Sequence, residues 1–446
     1  MRWDDLRTRT RWTIAVTLAG LACADPTSAP NDGALLARPG ADSEKCDADN
    51  GGLILPTGFC AVVVAKDLGR ARHMAQRPNG DLYVAINNGP GATIGAVVAL
   101  RDTDGDGRAD LKPRFGPEGG NGVAWGEGQL YFAPDDRVIR FTFVGNELVP
   151  TGAQDIIVSG LPDTDDHPRK TVVLDGKGGM FLNIASGSNS CQLVDRTDNS
   201  PGQDPCLELP VRAGVWHFSA TTIGQTQSQG THFASELRNM TALAINPADG
   251  KLYGAQNGRD QLFDNWSTFF NERDDALLPA EELFVIEEGK KYGWPYCYYD
   301  GVKNQKVLAP EYGGNGSIVG RCADRELPIA DYPAHWAPLG MTFYTGTQFP
   351  SRYQGGLFIA WHGSRFDSRL QPAGPGYVVT FTPWAAGKPS GKFETFADGF
   401  TGGDPTPTGA DHRPVSVTQA NDGSLFISDD VAGWIWRVFY VGNGKN

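Results

Sequence analysis

The chain has 446 residues, of which 57 are Gly and 30 are Pro, a composition that favours short strands and turns over long helices. Hydrophobic residues make up 40% and charged residues 20%, so the chain can bury a core and is not intrinsically disordered. The formal net charge of −13 argues against nucleic acid and anionic membrane surfaces as partners, because both attract basic faces.

Residues 1–23 are predicted to be an export signal. Arginines precede an apolar run at residues 12–22, which is too short to span a bilayer. The run ends at Cys23 after a small residue, which is typical of a bacterial lipoprotein; an ordinary signal peptide cut nearby is the alternative. Residues 24–45 are rich in Pro, Gly and Ala and are predicted to be a flexible tether. We therefore expect a periplasmic or outer-membrane-anchored protein that contacts the membrane only through a lipid on Cys23.

The cysteine spacing predicts disulfides in the remaining single domain, residues 46–446. If Cys23 carries lipid, six of the seven cysteines remain, and they form three couples that are close in sequence. In an oxidising compartment such couples are read as disulfides. We expect the sequential pairing, with other connectivities and free thiols left open: Cys46 with Cys60, Cys191 with Cys206, and Cys297 with Cys322.

A short pattern recurs along this domain: a Gly-containing turn, then Leu or Met, then an aromatic residue, then usually an apolar residue. The glycine permits a turn between strands, and we interpret the apolar triplet as a buried inner strand. Later copies are farther apart than the first three, which predicts insertions in the later repeats. The six copies begin at Asn79, Gly128, Gly178, Asp249, Gly355 and Asp422.

Six repeats arranged radially bury each other's faces and leave only short edges. The pattern therefore predicts an all-β fold, a single six-bladed β-propeller of four-stranded antiparallel blades. We expect residues 60–65 to close the ring by pairing with the last strand, residues 434–440. Another all-β fold with similar turns is the alternative.

An acidic turn near the first repeat is a candidate calcium site. It holds Asp102, Asp104, Asp106 and Asp110 around two glycines, and carboxylates in such a turn can converge on Ca²⁺. Counted from Asp102, the twelfth position is Pro113, whereas an EF-hand loop has Glu there, so the turn is not an EF-hand. A solvated hairpin turn is the alternative.

His167 could serve as a general base, because an imidazole pKa lies near the working pH; the base role itself is what the family resemblance described below implies. It directly precedes an apolar strand that begins at Thr171, which predicts a position on a loop at one end of the propeller. Asp166 is its expected orienting partner. From the residues alone, a structural or surface histidine is the alternative.

The most specific motifs lie between Leu237 and Tyr298. They are Arg238-Asn239, the loop Asn257-Gly258-Arg259-Asp260 and the turn Tyr292-Gly293-Trp294-Pro295. In this order they resemble the soluble pyrroloquinoline quinone (PQQ) dependent sugar dehydrogenases, especially the sorbosone dehydrogenase-like branch. The resemblance extends over about residues 50–440, with further matching segments at Asp166, His335, His362 and Arg413.

The resemblance implies a PQQ- and calcium-dependent dehydrogenase that oxidises a sugar or a related hydroxyl or aldehyde compound. In that reading His167 takes a proton, hydride passes to the quinone, and electrons leave to an external cytochrome or quinone. The backbone carbonyls of Gly258 and Arg259 would bind the catalytic Ca²⁺. The residues implied to face the cofactor are Arg238, Asn239, Arg413, Asn121 and His362.

One position departs from the family pattern. Val415 stands where the family has a second cofactor-facing arginine, and Arg365 and Arg369 are the candidates to replace it. His335 and His412 lie in matching segments and are further candidates for the site. Two other functions stay open on the sequence: a metal-dependent lactonase-type propeller hydrolase and a non-catalytic cell-surface binding propeller.

Overall fold

The computed structural model of the protein describes residues 46–87 and 96–442. The predicted export signal and tether lie outside the described residues. The described chain begins with a lone strand, β1 (Phe59–Ala65), and continues into five consecutive sheets, each beginning with an antiparallel meander. A sixth sheet is completed by β1 itself, so the six-bladed propeller predicted from the repeats is confirmed.

The blades follow one another in chain order. Blade 1 contains β2 (Ala71–Gln76), β3 (Leu82–Ile86), β4 (Val97–Leu100) and β5 (Arg114–Phe115). Blade 2 contains β6 (Gly120–Gly126), β7 (Gln129–Pro134), β8 (Val138–Thr142) and β9 (Gln154–Ser159). Blade 3 contains β10 (Val172–Leu174), β11 (Gly179–Ile184), β12 (Gly214–Ser219) and, after the short β13 (Gln225–Thr226), β14 (Thr231–Ser235). Strand β13 pairs parallel with β9 and gives blade 2 a fifth strand.

The later blades carry longer connections. Blade 4 contains β15 (Ala242–Ile245), β16 (Leu252–Gln256), helices α1 (Leu262–Trp266) and α2 (Glu272–Leu277), β17 (Glu281–Ile286), the hairpin β18 (Cys297–Asp300) and β19 (Gln305–Leu308), and β20 (Ala330–Tyr332). Blade 5 contains β21 (Pro338–Phe343), β22 (Leu357–His362), β23 (Tyr377–Thr382), the small hairpin β24 (Trp384–Ala385) and β25 (Lys388–Pro389), and β26 (Glu394–Ala397). Blade 6 contains β27 (Pro414–Gln419), β28 (Leu425–Asp429) and β29 (Ile435–Tyr440).

Ring closure follows the prediction. Strand β1 pairs antiparallel with β29, in a register that sets Phe59 opposite Tyr440 and Val63 opposite Trp436. Blade 6 therefore joins the two ends of the described chain, and no sheet edge remains open between the first and last blades.

The repeat pattern marks the second strand of each blade, a buried strand in the interior of its sheet as the sequence predicted, whereas the strand nearest the axis is the first. The first strands, beginning with β2, contact one another around the ring. There the backbones of neighbouring blades approach closely: a Cβ added at Gly122 would lie 2.8 Å from the carbonyl oxygen of Lys170, and one at Gly340 would lie 2.7 Å from that of Val415. Small residues are therefore required near the axis, and the aromatic residues lie one strand farther out, where Tyr83 and Phe358 are fully buried between blades.

The long connections of blades 3 and 4 pack together over one region of the ring. All three predicted disulfides are formed, and two of them tie these connections, Cys191 with Cys206 and Cys297 with Cys322. These cysteines share a core cluster with Trp294. Disulfides of this kind are typical of extracytoplasmic proteins. Within residues 46–87 and 96–442, no helix is long and apolar enough to cross a membrane.

Candidate active site

A cavity of about 330 Å³ lies at one end of the ring. Its walls come from residues that precede first strands, such as His167 before β10 and Arg413 before β27, and from residues that follow second strands, such as Gly258 after β16. In an antiparallel meander the start of the first strand and the end of the second lie at the same edge. Six blades therefore bring these distant segments together around the axis.

His167 lines the cavity with a defined tautomer. Its Nδ1 lies 3.0 Å from the carbonyl oxygen of Ser186 and 3.1 Å from the Ser186 hydroxyl oxygen. Because a carbonyl only accepts, Nδ1 carries the hydrogen and Nε2 keeps its lone pair. No residue in the described part of the chain forms a hydrogen bond with Nε2. Burial, helped by the positive charge of Arg238, lowers the pKa of His167 to about 3, so the imidazole is neutral and can accept a proton.

Asp166 does not orient His167. Its carboxylate instead accepts hydrogen bonds from Arg196, at 2.6 Å and 3.1 Å, while the imidazole Nδ1 is taken by Ser186. The expected contact between Asp166 and the imidazole is therefore wrong, because the loop turns the carboxylate toward the arginine of the neighbouring connection. Ser186 performs the orienting role, and nothing in the sequence around it indicates this.

Arg238 is held rigidly at the wall of the cavity. Its Nε and Nη2 donate to the backbone and side-chain oxygens of Asn189, at 3.0 Å and 3.1 Å, and its Nη1 donates to the carbonyl of Gly258 at 2.7 Å. The side chain is almost fully buried. The neighbouring Asn239 also lines the cavity, and its side-chain amide has no hydrogen bond to a described residue.

The carbonyl of Gly258 keeps one lone pair free when it accepts from Arg238. It can therefore still act as a ligand for a cation, as the resemblance implies. The side chain of Arg259 points away from the cavity and forms a buried ion pair with Glu311. Only the backbone carbonyl of Arg259 is thus available for the expected role.

His362 and Arg413 lie together in the cavity wall. His362 Nε2 lies 2.8 Å from a carboxylate oxygen of Asp430, and Arg413 donates to the carbonyls of His362 and Gly363. Burial lowers the pKa of both residues. Two of the family-implied residues are therefore brought beside Arg238 and His167.

Asn121 is not brought into the cavity wall. It is fully buried, accepts from Arg72 Nε at 2.8 Å and donates to the Lys170 carbonyl at 3.2 Å. Its amide thus joins the inner strands of two blades, so the expectation that it faces a cofactor is not met. His412, which pairs with Asp429 at 3.0 Å, also lies outside the lining of the cavity.

Two carboxylates and a histidine also line the cavity: Asp260, Glu281 and His335. Asp260 lies 3.3 Å from His335 Nδ1 and 3.4 Å from Arg238 Nη2. Glu281 accepts from the backbone amides of Gly258, at 2.7 Å, and Ala337, at 3.0 Å, and burial raises its pKa to about 7. All three residues stand in segments that the motifs identified, but the sequence assigned no role to Glu281, because a carboxylate at the start of a strand carries no local signal.

The cavity is rich in arginine although the chain is acidic overall. Arg365 lines it beside Arg238 and Arg413, and donates to Asp275 at 2.8 Å. Arg369 has a side chain that is 89% exposed and pairs with Asp367, so it plays no part there. Val415 is fully buried in β27 and does not line the cavity. Of the two candidates to replace the missing arginine, only Arg365 is in place.

The acidic turn lies apart from the cavity. Ligand oxygens of Asp102, Asp104 and Asp106 lie within 4.8 Å of one another and are exposed. Asp110 is not part of this group, because its carboxylate accepts from the backbone and hydroxyl of Thr103. Asp102 also accepts from two backbone amides of the turn itself, those of Gly105 and Gly107.

Comparison with known proteins identifies the class. The chain matches the sequence profile of the TrAA12-like family over residues 53–440 and belongs to that family. It is thus a distant member of the soluble PQQ-dependent sugar dehydrogenase-like six-bladed propellers.

Solved structures share the fold at low identity. The calcium structure of a family AA12 enzyme from Trichoderma reesei has a TM-score of 0.70 and 17% identity, covering 87% of this chain and 97% of that one. The holo PQQ domain of a pyranose dehydrogenase from Coprinopsis cinerea has a TM-score of 0.68 and 18% identity, with coverage of 87% and 97%. At this identity the likeness establishes the fold alone.

Two curated relatives match part of the chain. One is a Borreliella burgdorferi protein described as uncharacterized, 34% identical over 206 residues, which are 46% of this chain and 47% of that protein. The other is the aldose sugar dehydrogenase YliI of Escherichia coli K12, 26% identical over 211 residues, 44% of this chain and 45% of the relative. The chain thus spans less than half the length of each curated relative that it matches.

Proposed function

We propose that this protein is a PQQ- and calcium-dependent dehydrogenase that oxidises a sugar or a related hydroxyl or aldehyde compound. Electrons then pass to an external acceptor, a cytochrome or a quinone. The observation that carries the proposal is a neutral histidine with a free Nε2, His167, in one cavity with three arginines.

The residues present fit a polyanionic quinone. PQQ carries three carboxylates, and guanidinium groups bind carboxylates strongly and with defined geometry. Arg238, Arg365 and Arg413 supply the positive charge, and the unpaired amide of Asn239 supplies a further donor and acceptor. The carbonyls of Gly258 and Arg259 would hold Ca²⁺, which prefers oxygen ligands. When bound, PQQ with its Ca²⁺ supplies the electrophilic carbonyl that accepts hydride.

His167 is the group that removes the proton. Its Nε2 accepts the proton of the substrate hydroxyl, while Ser186 holds Nδ1–H and thereby fixes the ring and its tautomer. Arg238 opposes protonation of the imidazole by its charge, which keeps the base ready. Its own contacts with Asn189 and Gly258 prevent it from moving when a ligand enters.

The test begins with cofactor binding. PQQ is titrated into the purified protein with Ca²⁺ or with chelator, and the quinone absorbance is followed. Dye reduction is then measured with a panel of aldoses and sugar aldehydes. We expect calcium-dependent binding, substrate-driven bleaching, and a His167→Ala variant that binds PQQ without turnover.

His217→Ala is the matched control, because His217, on β12, pairs with Asp175 away from the cavity, and the change should leave turnover unchanged. Absence of PQQ binding under every condition would refute the proposal. Lactone hydrolysis and glycan binding would then be the next assays.

We also propose that the protein is exported and anchored by a lipid on Cys23, in the periplasm or at the outer membrane. The three disulfides of the described domain support an oxidising compartment. Metabolic labelling with a radioactive fatty acid should mark the wild type and not Cys23→Ser. Equal labelling of both would refute the anchor.

A further inference from the structure

His362 lies on the cavity wall with one ring nitrogen bonded behind it and the other free. The side chain is 18% exposed and lines the cavity. Its Nε2 lies 2.8 Å from Oδ1 of Asp430, whereas its Nδ1 has no hydrogen bond to a described residue. A carboxylate only accepts, so Nε2 carries the hydrogen and Nδ1 keeps its lone pair in the neutral ring. A second proton therefore enters at Nδ1.

Asp430 is an ionised carboxylate shared by two side chains. Its second oxygen accepts from Arg72 Nη1 at 2.6 Å. Burial by itself would raise the pKa of Asp430, but the contacts with His362 and Arg72 outweigh burial and lower that pKa. Arg72 is held in turn, because its Nε donates to the buried amide oxygen of Asn121 at 2.8 Å. Asn121 thus supports the cavity wall through Arg72, although it does not line the cavity.

The backbone around Asp430 is fixed as well. The preceding Asp429 accepts from the amide of Val431, at 2.9 Å, and from the amide of Arg413, at 2.8 Å. These bonds tie the turn after β28 to the start of β27. The side chain of Arg413 donates in turn to the carbonyl of His362 at 2.8 Å. His362, Asp430 and Arg413 therefore form one connected group in which each member is held in place.

The charges around His362 decide its protonation. Burial lowers its pKa, Asp430 opposes that effect, and Arg413 and Arg72 reinforce it. Without an anion in the cavity the imidazole is therefore neutral at pH 7. A polyanion reverses the balance, because a nearby opposite charge favours the protonated form. The other ionisable side chains that line the same cavity are His167, Arg238, Asp260, Glu281, His335 and Arg365.

We propose that His362 takes up a proton from solvent at Nδ1 when PQQ binds, and that Asp430 is the positioning residue for this step. The inference rests on the proposed function, since it concerns the carboxylates of that cofactor. The protonated ring would supply one more charge-assisted donor beside the three arginines. Asp430 acts through His362: it fixes the ring by accepting Nε2–H, and it supplies the counter-charge of the imidazolium.

Proton uptake on binding is measured by isothermal titration of PQQ with Ca²⁺ into the purified protein, in buffers of different ionisation enthalpy. Glu281 and His335 can also take up protons beside a polyanion, so the difference between the wild type and His362→Gln counts the proton of His362. We expect a difference of about one proton per PQQ near pH 7. Binding that takes up a proton weakens as pH rises, so the affinity of the wild type should fall with pH more steeply than that of His362→Gln, by up to about tenfold per pH unit.

Two matched substitutions test Asp430. Asp430→Asn removes the counter-charge, so it should abolish most of this uptake and weaken PQQ binding about tenfold. Asp367→Asn also removes a carboxylate that pairs with an arginine, Arg369, but Asp367 does not line the cavity. This control should take up protons and bind PQQ as the wild type does.

Nitrogen NMR of labelled histidines reports the protonation of the ring itself, and His362→Gln assigns its signals. In the wild type we expect a neutral ring with its hydrogen on Nε2 before PQQ is added, and a doubly protonated ring afterwards. In Asp430→Asn the ring should stay neutral with PQQ present. If Asp430→Asn does not fold, the wild-type spectra and the His362→Gln titration still decide the proposal.

The outcomes separate this inference from the proposed function. Absence of PQQ binding by the wild type would overturn both. Three results would overturn this inference alone: a neutral His362 in the PQQ-bound wild type, equal proton uptake by the wild type and His362→Gln, or equal behaviour of Asp430→Asn and Asp367→Asn. A melting curve for each variant verifies that folded proteins are being compared.

Discussion

Replacing Arg259 with Met should destabilise the protein through Glu311. The two side chains form an ion pair with 2.5 Å between Nη1 and Oε2, and their side chains are 3% and 0% exposed. The other carboxylate oxygen of Glu311 accepts from Trp266 Nε1, at 2.9 Å, and Ser190 Oγ, at 3.1 Å. Both of these donors are neutral, so Arg259→Met would leave a buried negative charge without a counter-charge.

The expected cost follows from this burial. Removing one partner of a buried ion pair costs about 3–5 kcal/mol, whereas a domain is stable by about 5–15 kcal/mol in total. Urea unfolding under non-reducing conditions should show a lower midpoint with an unchanged slope. Adding Glu311→Gln to the variant should recover part of the loss, because a neutral amide needs no counter-charge.

A surface pair provides the control. Lys251 and Glu287 lie 3.2 Å apart but are 53% and 48% exposed, so Lys251→Met should cost less than about 1 kcal/mol. If Arg259→Met costs no more than Lys251→Met, or if Glu311→Gln brings no recovery, the buried pair does not contribute as argued. Calcium binding through the Arg259 carbonyl would be a separate matter, since the backbone is retained.

Three further predictions concern the base, a disulfide and one loop. Burial and the charge of Arg238 hold the pKa of His167 below its ordinary value, so its base form persists as pH falls and kcat/KM of the PQQ-loaded enzyme should show no imidazole limb near pH 6.5. Ser186→Asp places a negative charge beside the ring and should move the limb to higher pH; an unmoved limb would contradict the contact between residue 186 and His167. Replacing both Cys191 and Cys206 with Ser should lower the free energy of unfolding, measured in urea, by about 3 kcal/mol. This is the chain-entropy value for a 15-residue loop, and a negligible change would contradict it. Gly374→Ala and Gly376→Ala both place a side chain at a positive φ, so they share that cost. A Cβ at Gly376 would lie 2.3 Å from Trp336, whereas one at Gly374 meets nothing within 4 Å. Gly376→Ala should therefore lower the melting temperature markedly more than Gly374→Ala, and equal losses would contradict this.

The fold was accessible from the sequence because its signals are local. A turn glycine and the aromatic triplet after it recur once per blade, and the number of copies alone predicts the number of blades. The cysteine couples are close in sequence, and their pairing is confirmed. Which strand of a blade lies nearest the axis was not predicted, because the contacts between neighbouring first strands join residues of different repeats.

The candidate site was only partly accessible. Arg238, Asn239, His362 and Arg413 were found through motifs, and the structure brings them into one cavity with His167. The partner of His167 was predicted as its chain neighbour Asp166, but it is Ser186, 19 residues farther along. Adjacency in sequence is a poor guide on a loop, since successive side chains there point in different directions.

The sequence by itself thus determined the number of blades and the disulfides, because a repeat and a close cysteine spacing can be read within a short window. The closing pair of strands was expected from the propeller as a whole, and the candidate base from the family resemblance. The tertiary structure decided which charges meet. It buried Arg259 against Glu311, removed Asn121 from the cavity wall and added Glu281 to it. These outcomes depend on distances between segments far apart in the chain, which only the packing of the blades sets.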